Sequence, residues 1–470
     1  MTAETVETGW DPQPARRRAA QRTAELREKF TARRPNSRRA AEQQRTHLPA
    51  GTAMHWFSQW PLPFPVYLET AQGNRVIDAD GIEYLDFCLG DSAALFGHGL
   101  PEVADRVAKR LRSGAQAMLP TEEAGEVAAE LAHRFGLPKW QFTLSATDAN
   151  RAAIRVARAM TGRSRVLVFD GKYHGSIDEL HLVLDQHGEA HELPGVHGLG
   201  VDFERTTAII PFNDLDALRA ELERGDIAAV LTEPALSNGA LMLPDPGFHR
   251  ELRRLTREHG ALLILDETQT IVAGLRGLSG EWGLEPDILT LGKSFGGGVP
   301  VGLWGMTEQV AEGMRAYLFS GGSHANHAGF GGTLAGNALA VAAVHAVLQT
   351  ASTEQNYARA TAAAEQIEAG LRRIIAELGV PWSVSRAGLR VWLVFAERAP
   401  RAVAEYRPTV DAVLSDYLHL SLVERGILLG PFTNGILAAP QTGDDDIACL
   451  LAAWGDAVAY LLEPKGADAA

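Results

Sequence analysis

The feature that most restricts the fold of this chain is a series of short, wholly apolar runs separated by helical segments. Arg165-Val-Leu-Val-Phe-Asp170, Thr207–Ile210, Ala228–Thr232, Leu262–Asp266 and Ile288–Leu291 are too short for helices and carry no alternating polar residues. Trp140–Leu144 reads as a further strand, and helical periodicity fills Glu123–Phe135, Ala149–Met160, Leu215–Glu223 and Phe248–His259. Strands this apolar need cover on both faces, so the expected class is α/β, with a largely parallel sheet between helices. Ligands in such sheets bind at the carboxyl ends of the strands. After Thr333 helices dominate, at Leu334–Leu348, Glu354–Leu378, Val410–Glu424 and Asp444–Leu462, with short strands at Leu389–Phe395 and Gly426–Leu429. The expected division is an Arg-rich N-terminal arm or helix over residues 1–46, a small-domain segment over 47–105, a large ligand-binding domain over 106–333, and the rest of the small domain over 334–470.

Two N-terminal stretches stand out. Trp56, Phe57, Trp60, Phe64 and Tyr67 are interleaved with Pro61, Pro63 and Pro65, which forbid a continuous helix or central strand. An extended aromatic segment follows, either covering a core or lining a pocket. Asn74–Asp80 and Ile82–Cys88 flank Gly81 as a hairpin. Before these, arginines cluster at 16–18, 33–34 and 38–39, while Glu4, Glu7, Glu25, Glu28 and Glu42 count against a transit peptide. A solvated helix or flexible arm is expected there.

Charge and cysteine usage exclude several classes. A formal charge of −14 argues against nucleic-acid binding, which needs excess Lys and Arg. No apolar run reaches the length of about 18 residues that spans a bilayer. Cys88 and Cys449 are too few for a disulfide framework, zinc finger or iron–sulfur cluster, so a cytoplasmic setting is expected.

Four elements fall where strand ends would place a site. Leu144-Ser-Ala-Thr-Asp-Ala149 closes a strand and opens a helix, so Ser145, Thr147 and the free N–H groups either cradle a phosphate or cap the helix. Tyr173, in Tyr173-His-Gly175, can stack on a flat ring or simply pack. Leu262-Leu-Ile-Leu-Asp266-Glu267 puts an acid pair at a buried strand end, as metal ligand, structural ion pair or partner of a protonated pyridine nitrogen. Lys293 follows the next strand, in Leu291-Gly-Lys-Ser-Phe-Gly-Gly-Gly298. Gly292-Lys-Ser294 is not a P-loop tail, because Asp287 occupies the position where that motif needs glycine. A lysine, an acid, a phosphate cradle and an aromatic platform together are the parts needed to hold pyridoxal phosphate.

With those motifs, and with Glu233-Pro234 and Gly332-Thr-Leu-Ala-Gly-Asn337, the chain from Leu48 to Leu462 resembles the class III (subgroup II) pyridoxal-phosphate aminotransferases of fold type I. The branch it looks closest to contains glutamate-1-semialdehyde aminomutase and the β-amino-acid transaminases. The resemblance implies Lys293 as the Schiff-base lysine, Asp266 as the pyridinium partner, and Tyr173 and Thr268 against the two ring faces. It implies Gln269 at the phenolic oxygen, Glu233 beside lysine and ring, and Ser145, Ala146 and Thr147 at the phosphate. It also implies a homodimer in which Thr333 reaches the partner subunit's phosphate.

Departures from the family pattern bear on substrate. Ala146 stands where glycine is usual, and Thr268 where valine is usual. Pro49-Ala-Gly-Thr-Ala-Met-His-Trp-Phe57 lacks the arginine that binds a carboxylate in relatives. His55, Trp56 and Trp60 are instead the candidate substrate contacts, suiting a hydrophobic or aromatic amine. Arg390 either supplies a replacement cation or faces solvent. The expected activity is an aminotransferase passing an amino group from an amine or amino acid to a keto acid or aldehyde. The alternative is a 2,1-aminomutase, with the glycine-rich stretch 321–332 as a possible gating loop. A metal-binding module resting on His181, His187, His191 and His197 is the reading from another class, set aside because Gly188, Pro194 and Gly195 disfavour the helix that i, i+4 histidines need. No resident metal is expected. A non-catalytic binding relative is disfavoured by the presence of Lys293, Asp266 and Tyr173 together.

Overall fold

Ile227–Thr232 and Ile288–Leu291 are buried at every residue. Backbone that far from water must pair its N–H and C=O groups on both sides, which a central sheet position provides. The computed structural model describes residues 11–115, 117–196, 200–319, 329–430 and 435–462. In it, seven strands form one sheet: β1 (Lys139–Thr143), β2 (Arg165–Phe169), β3 (Thr207–Ile210), β4 (Ile227–Thr232), β5 (Leu262–Asp266), β6 (Ile288–Leu291) and β7 (Gly302–Met306). Their order across the sheet is β1-β7-β6-β5-β4-β2-β3. All run parallel except β7, which is antiparallel to both of its neighbours.

Alternation along the strands divides the core in two. Val166, Val168, Leu231 and Ile264 meet the small residues of the helix Ala146–Thr161 (Ala149, Ala152, Ala153, Val156). Leu167, Phe169, Val230 and Leu265 meet Leu218, Leu222, Phe248 and Leu252 from the helices Leu215–Glu223 and Phe248–Glu258. The sheet is therefore covered on both faces, as its composition requires.

β7 is the strand the sequence hides. Its Gly-Leu-Trp-Gly-Met run has no period, and its glycines are there for contact. A Cβ on Gly302 would lie 2.1 Å from the Ser145 carbonyl oxygen, and one on Gly305 would enter the Trp140 ring. Only bare backbone lets β7 slot between β1 and β6.

Both chain ends build the smaller α+β part. The hairpin of Arg75–Asp78 and Glu83–Asp86 is extended by Leu68–Gln72 on one side. On the other, Ile427–Leu428 pairs in parallel with Glu83–Asp86. A three-stranded sheet of Ser383–Ala387, Arg390–Val394 and Ile436–Leu437 packs nearby under the long helix Glu354–Leu378.

The Arg-rich N-terminus adds a buried anchor that the charge pattern does not suggest. Within the described residues it is a helix, solvated over most of its surface but docked along one side. The helix Pro12–Arg33 is capped by Asp11 and buries Ala15, Ala19, Leu26 and Phe30, a single stripe set against the helices Ala412–Val423 and Asp444–Leu462. Its anchor is Arg34, 0% exposed. The Arg34 guanidinium donates to Glu424, donates to the Tyr84 hydroxyl at 2.9 Å, and lies 4.0 Å from the Phe30 ring centroid. Tyr84 in turn donates to Asp78 at 2.7 Å. The charge pattern conceals this because one buried arginine among many exposed ones looks no different in sequence.

Removing Arg34 leaves the buried Asp78 without its cation and Glu424 with only two partly exposed ones, Arg33 at 3.1 Å and Lys29 at 4.0 Å. Arg34→Ala should cost about 3–5 kcal/mol. Arg38→Ala, which breaks only the exposed pair with Glu42, should cost less than about 1 kcal/mol. Urea unfolding midpoints of the two variants check this, and equal shifts would contradict it.

Candidate active site

Because six strands point the same way, their carboxyl ends open onto one edge of the sheet, and a cavity of about 360 Å³ lies there. Each element contributes from the residue just past its end. Ser145, Ala146 and Thr147 follow β1, Tyr173 and His174 follow β2, and Glu233 follows β4. Asp266 closes β5, followed by Thr268 and Gln269, and Lys293 follows β6. β7 runs the other way, so the residues leading into it, Val299 to Val301, form the wall instead.

The anion-binding end is the start of the helix Ala146–Thr161. Ser145 caps it, its Oγ accepting from the Asp148 N–H at 3.2 Å. That leaves the first N–H groups of a helix sixteen residues long directed at the cavity, where the helix dipole favours a phosphate. Ala146, where glycine is usual, has room for its methyl group because the residue facing it is glycine. A Cβ on Gly292 would come within 2.9 Å of Ala146 Cβ.

The opposite end holds a buried carboxylate. Asp266 is 3% exposed, and its Oδ2 takes the Asn150 side-chain N–H at 2.8 Å and lies 2.9 Å from His174 Nδ1. Its Oδ1 accepts from the Thr268 N–H at 3.0 Å. Burial alone would raise this carboxyl; the hydrogen bond and charge of His174, with Thr268, outweigh it and hold it below the ordinary carboxylate range. Asp266 therefore faces the cavity as an anion. Glu267 points the other way, as consecutive strand residues do, and accepts from Thr270 and from the Ser279 N–H. Of the acid pair, Glu267 thus supports the following turns and Asp266 serves the cavity.

Between the two ends the walls suit a flat ring. Tyr173 is 47% exposed despite its size, its surface turned to the cavity. Thr268 lines the cavity too, and its hydroxyl is buried with no partner. An anion cradle, an aromatic platform, an anionic carboxylate and a lysine around one cavity of this size fit pyridoxal phosphate.

Lys293 is held in the left-handed region at φ 49°, uncommon for a residue with a side chain. Its Nζ donates to Asp91 Oδ2 at 2.6 Å. Gln269 Nε2 donates to the same oxygen at 2.9 Å, while Arg390 pairs with Oδ1 at 3.0 Å and donates to Gln269 Oε1 at 2.6 Å. Arg390 is therefore buried behind Gln269 rather than facing solvent, with its charge met by Asp91. Sequence reasoning missed Asp91, because Leu89-Gly-Asp-Ser92 looks like an ordinary turn.

Other candidates lie elsewhere. Thr333 is exposed and does not line this chain's cavity. His55 and Trp56 are exposed, their rings tilted at 39° with centroids 4.6 Å apart, and Trp60 sets its edge against His419 at 5.4 Å. None of these three lines the cavity. His187 and His191 share no helix face. They fall in the turn and second strand of a hairpin, Leu182–Leu184 with Ala190–Glu192, where His191 pairs with Asp185 at 3.2 Å. His197, and residues 321–328 of the suggested gating loop, lie outside the described residues.

Comparison with known proteins agrees with this geometry. A family model described as Aminotransferase class-III matches residues 57–440. The glutamate-1-semialdehyde 2,1-aminomutase of Anaeromyxobacter dehalogenans is 34% identical over 402 residues, covering 83% of this chain and 89% of that protein. Among solved structures, a glutamate-1-semialdehyde-aminomutase from Pseudomonas aeruginosa superposes with a TM-score of 0.93 at 45% identity, over 95% of this chain and 99% of that one. A lysine-to-alanine form of it has been crystallised in complex with PMP. An omega-transaminase from Sphaerobacter thermophilus superposes with a TM-score of 0.82 at 29% identity, over 91% of this chain and 98% of that one.

Glu233 offers a test of the site's electrostatics. Burial pushes its carboxyl up to about 8, against the Ser237 hydrogen bond and with help from the Asp266 charge. Unfolded, it would titrate near 4.3, so the folded state binds the extra proton. The stability this contributes is fully present below about pH 4 and is lost as pH rises through about 8. In cofactor-free protein, Glu233→Gln should flatten the decline of thermal midpoint between about pH 5 and 8. Parallel pH profiles for the two proteins would contradict this.

Proposed function

The chain belongs to the class-III aminotransferases, enzymes that work with pyridoxal phosphate, and from that premise we propose a reaction of the 2,1-aminomutase type, in which an amino group moves between neighbouring carbons of one molecule. The observation that carries this reading is the set of relatives. Curated proteins between 30% and 36% identical, and the Pseudomonas aeruginosa structure at 45%, bear that name. It takes precedence over the aminotransferase with separate donor and acceptor that the sequence alone favours. Glutamate-1-semialdehyde itself is not carried over as substrate. Its carboxylate needs a cation, and Arg390 is engaged with Asp91.

Bound in this cavity, pyridoxal phosphate would join the substrate nitrogen and draw electrons from the adjacent carbon. The protein's part follows from its own groups. Ser145 and the N–H groups of Ala146 and Thr147 hold the phosphate. Asp266, kept anionic, holds a proton on the ring nitrogen. Tyr173 and Thr268 keep the ring in plane from either side, and Gln269 donates to the ring's phenolic oxygen. Lys293 carries the cofactor through Nζ and, when released, moves a proton at the substrate carbon. Glu233, neutral at pH 7, sits beside both without adding a charge. The active unit is a homodimer in which the exposed Thr333 reaches the partner subunit's phosphate, and the two free cysteines suit a cytoplasmic setting.

The separate-acceptor aminotransferase keeps one observation in its favour. The chain offers the cavity no free cation among its described lining residues to hold a substrate carboxylate, which suits a simple amine. The two readings separate on acceptor dependence. The purified protein should carry a visible absorption band that 2-amino aldehydes alter, with continued turnover and no added keto acid. Lys293→Ala should lose that turnover by about 10²–10⁴-fold. Turnover only with an added keto acid would favour the aminotransferase, and a protein that takes up no pyridoxal phosphate would exclude both.

A further inference from the structure

Asp91 has no part in holding pyridoxal phosphate, yet the structure goes to some length to present it. Leu89, Gly90, Asp91 and Ser92 all have positive φ, at 45°, 58°, 51° and 72°. For the residues with side chains this is an unfavourable conformation. Asp86 enforces it by accepting from the N–H groups of Cys88 at 2.7 Å and Leu89 at 2.9 Å. The side chain so placed is 52% exposed, beside the lysine.

What the carboxylate binds is also on view. One oxygen is saturated by Arg390, and the other holds a primary ammonium, that of Lys293, at 2.6 Å. Once Lys293 Nζ is committed to the cofactor, that second oxygen keeps only the Gln269 amide and can accept from another ammonium beside Lys293, at the margin of the cavity. A carboxylate brought to the same place meets Asp91 first and finds Arg390 already neutralised. Like charges there would be repelled in a partly desolvated cavity.

We propose that Asp91 determines substrate class by docking a second protonated nitrogen of the substrate, so that the site takes a vicinal diamine or amino-carbonyl skeleton and turns away one with a carboxylate on that carbon. This rests on the amino-transfer reading above and deepens it. In a 2,1-shift the docked cation is the amino group on the neighbouring carbon, and in transfer between molecules it is the far amine of the donor. Arg390 is a positioning residue, fixing Asp91 and setting its net charge.

Three amines built on one carbon isolate the effect: 1,2-diaminopropane, 2-aminopropane and alanine, which carry an aminomethyl group, a methyl group or a carboxylate on the carbon that bears the shared amino group. Titration into Lys293→Ala loaded with pyridoxal phosphate, where the shared amino group condenses with the cofactor aldehyde and releases water while the second oxygen keeps only the Gln269 amide, reads binding through the visible band. The diamine should bind at least about tenfold more tightly than either analogue, as expected of one charge-assisted hydrogen bond. Adding Asp91→Asn should bring the three within about twofold of one another, while adding Arg390→Ala in place of it should tighten the diamine further. Alanine binding tightest, with the preference lost on Arg390→Ala, would overturn the proposal and make Arg390 a carboxylate site. Equal binding of all three would overturn it as well. Pyridoxal phosphate uptake by the unaltered protein, followed by its visible band, tests the amino-transfer reading separately.

Discussion

A carboxylate that stays charged inside a protein is the interaction on which the rest of this site depends. Asp266 has almost no solvent, so its ionisation rests on groups brought from distant parts of the chain: Asn150 from the helix after β1, His174 from the loop after β2, and the backbone of Thr268. Each of these requires a neighbouring strand to end at the same level. Displacing any one would leave a buried acid that takes up a proton instead of holding one on a ring nitrogen. The sheet's polarity and the site's chemistry are in this sense one constraint.

The same edge of the sheet separates three kinds of electrostatic environment over a short span. Helix N–H groups gather at one end, the Asp266 anion stands at the other, and Asp91 lies to the side with two cations. Glu233 sits among them as a neutral acid, pushed up to about 8 by burial. Four acids at one site thus have four states: Asp266 is ionised through hydrogen bonds, Asp91 through ion pairs, Glu233 is protonated by burial, and Glu267 is turned away into its own turn.

Much of this was legible in the sequence because the strands that build the site are buried on both faces and announce themselves by composition. Leu262–Asp266, Ile288–Leu291 and Thr207–Ile210 have the bounds their apolar runs suggest. Residues at the ends of such strands, Lys293 and Asp266 above all, follow directly. What the sequence concealed has physical causes. β7 hides because its glycines answer to the Ser145 carbonyl and the Trp140 ring rather than to a period. The helix expected from Leu334 begins only at Ala338, because Asn337 caps it. Arg34 and Arg390 are buried by partners far away in sequence, Glu424 and Asp91, which no local pattern connects. Asp91 itself is missed because positive φ at residues with side chains leaves no compositional mark.

The claim on which everything else rests is that pyridoxal phosphate joins the chain at Lys293. Reduction of the loaded protein with sodium borohydride, followed by peptide mass mapping, tests it most directly. Lys172 is the informative competitor. It adjoins Tyr173, and burial lowers its ammonium to about 8 despite the Asp170 charge, but its Nζ donates to the Leu182 carbonyl and it does not line the cavity. The phosphopyridoxyl mass should appear on the peptide that carries Lys293 and be lost in Lys293→Ala. Its appearance on the Lys172 peptide, or on none, would contradict the assignment of this cavity.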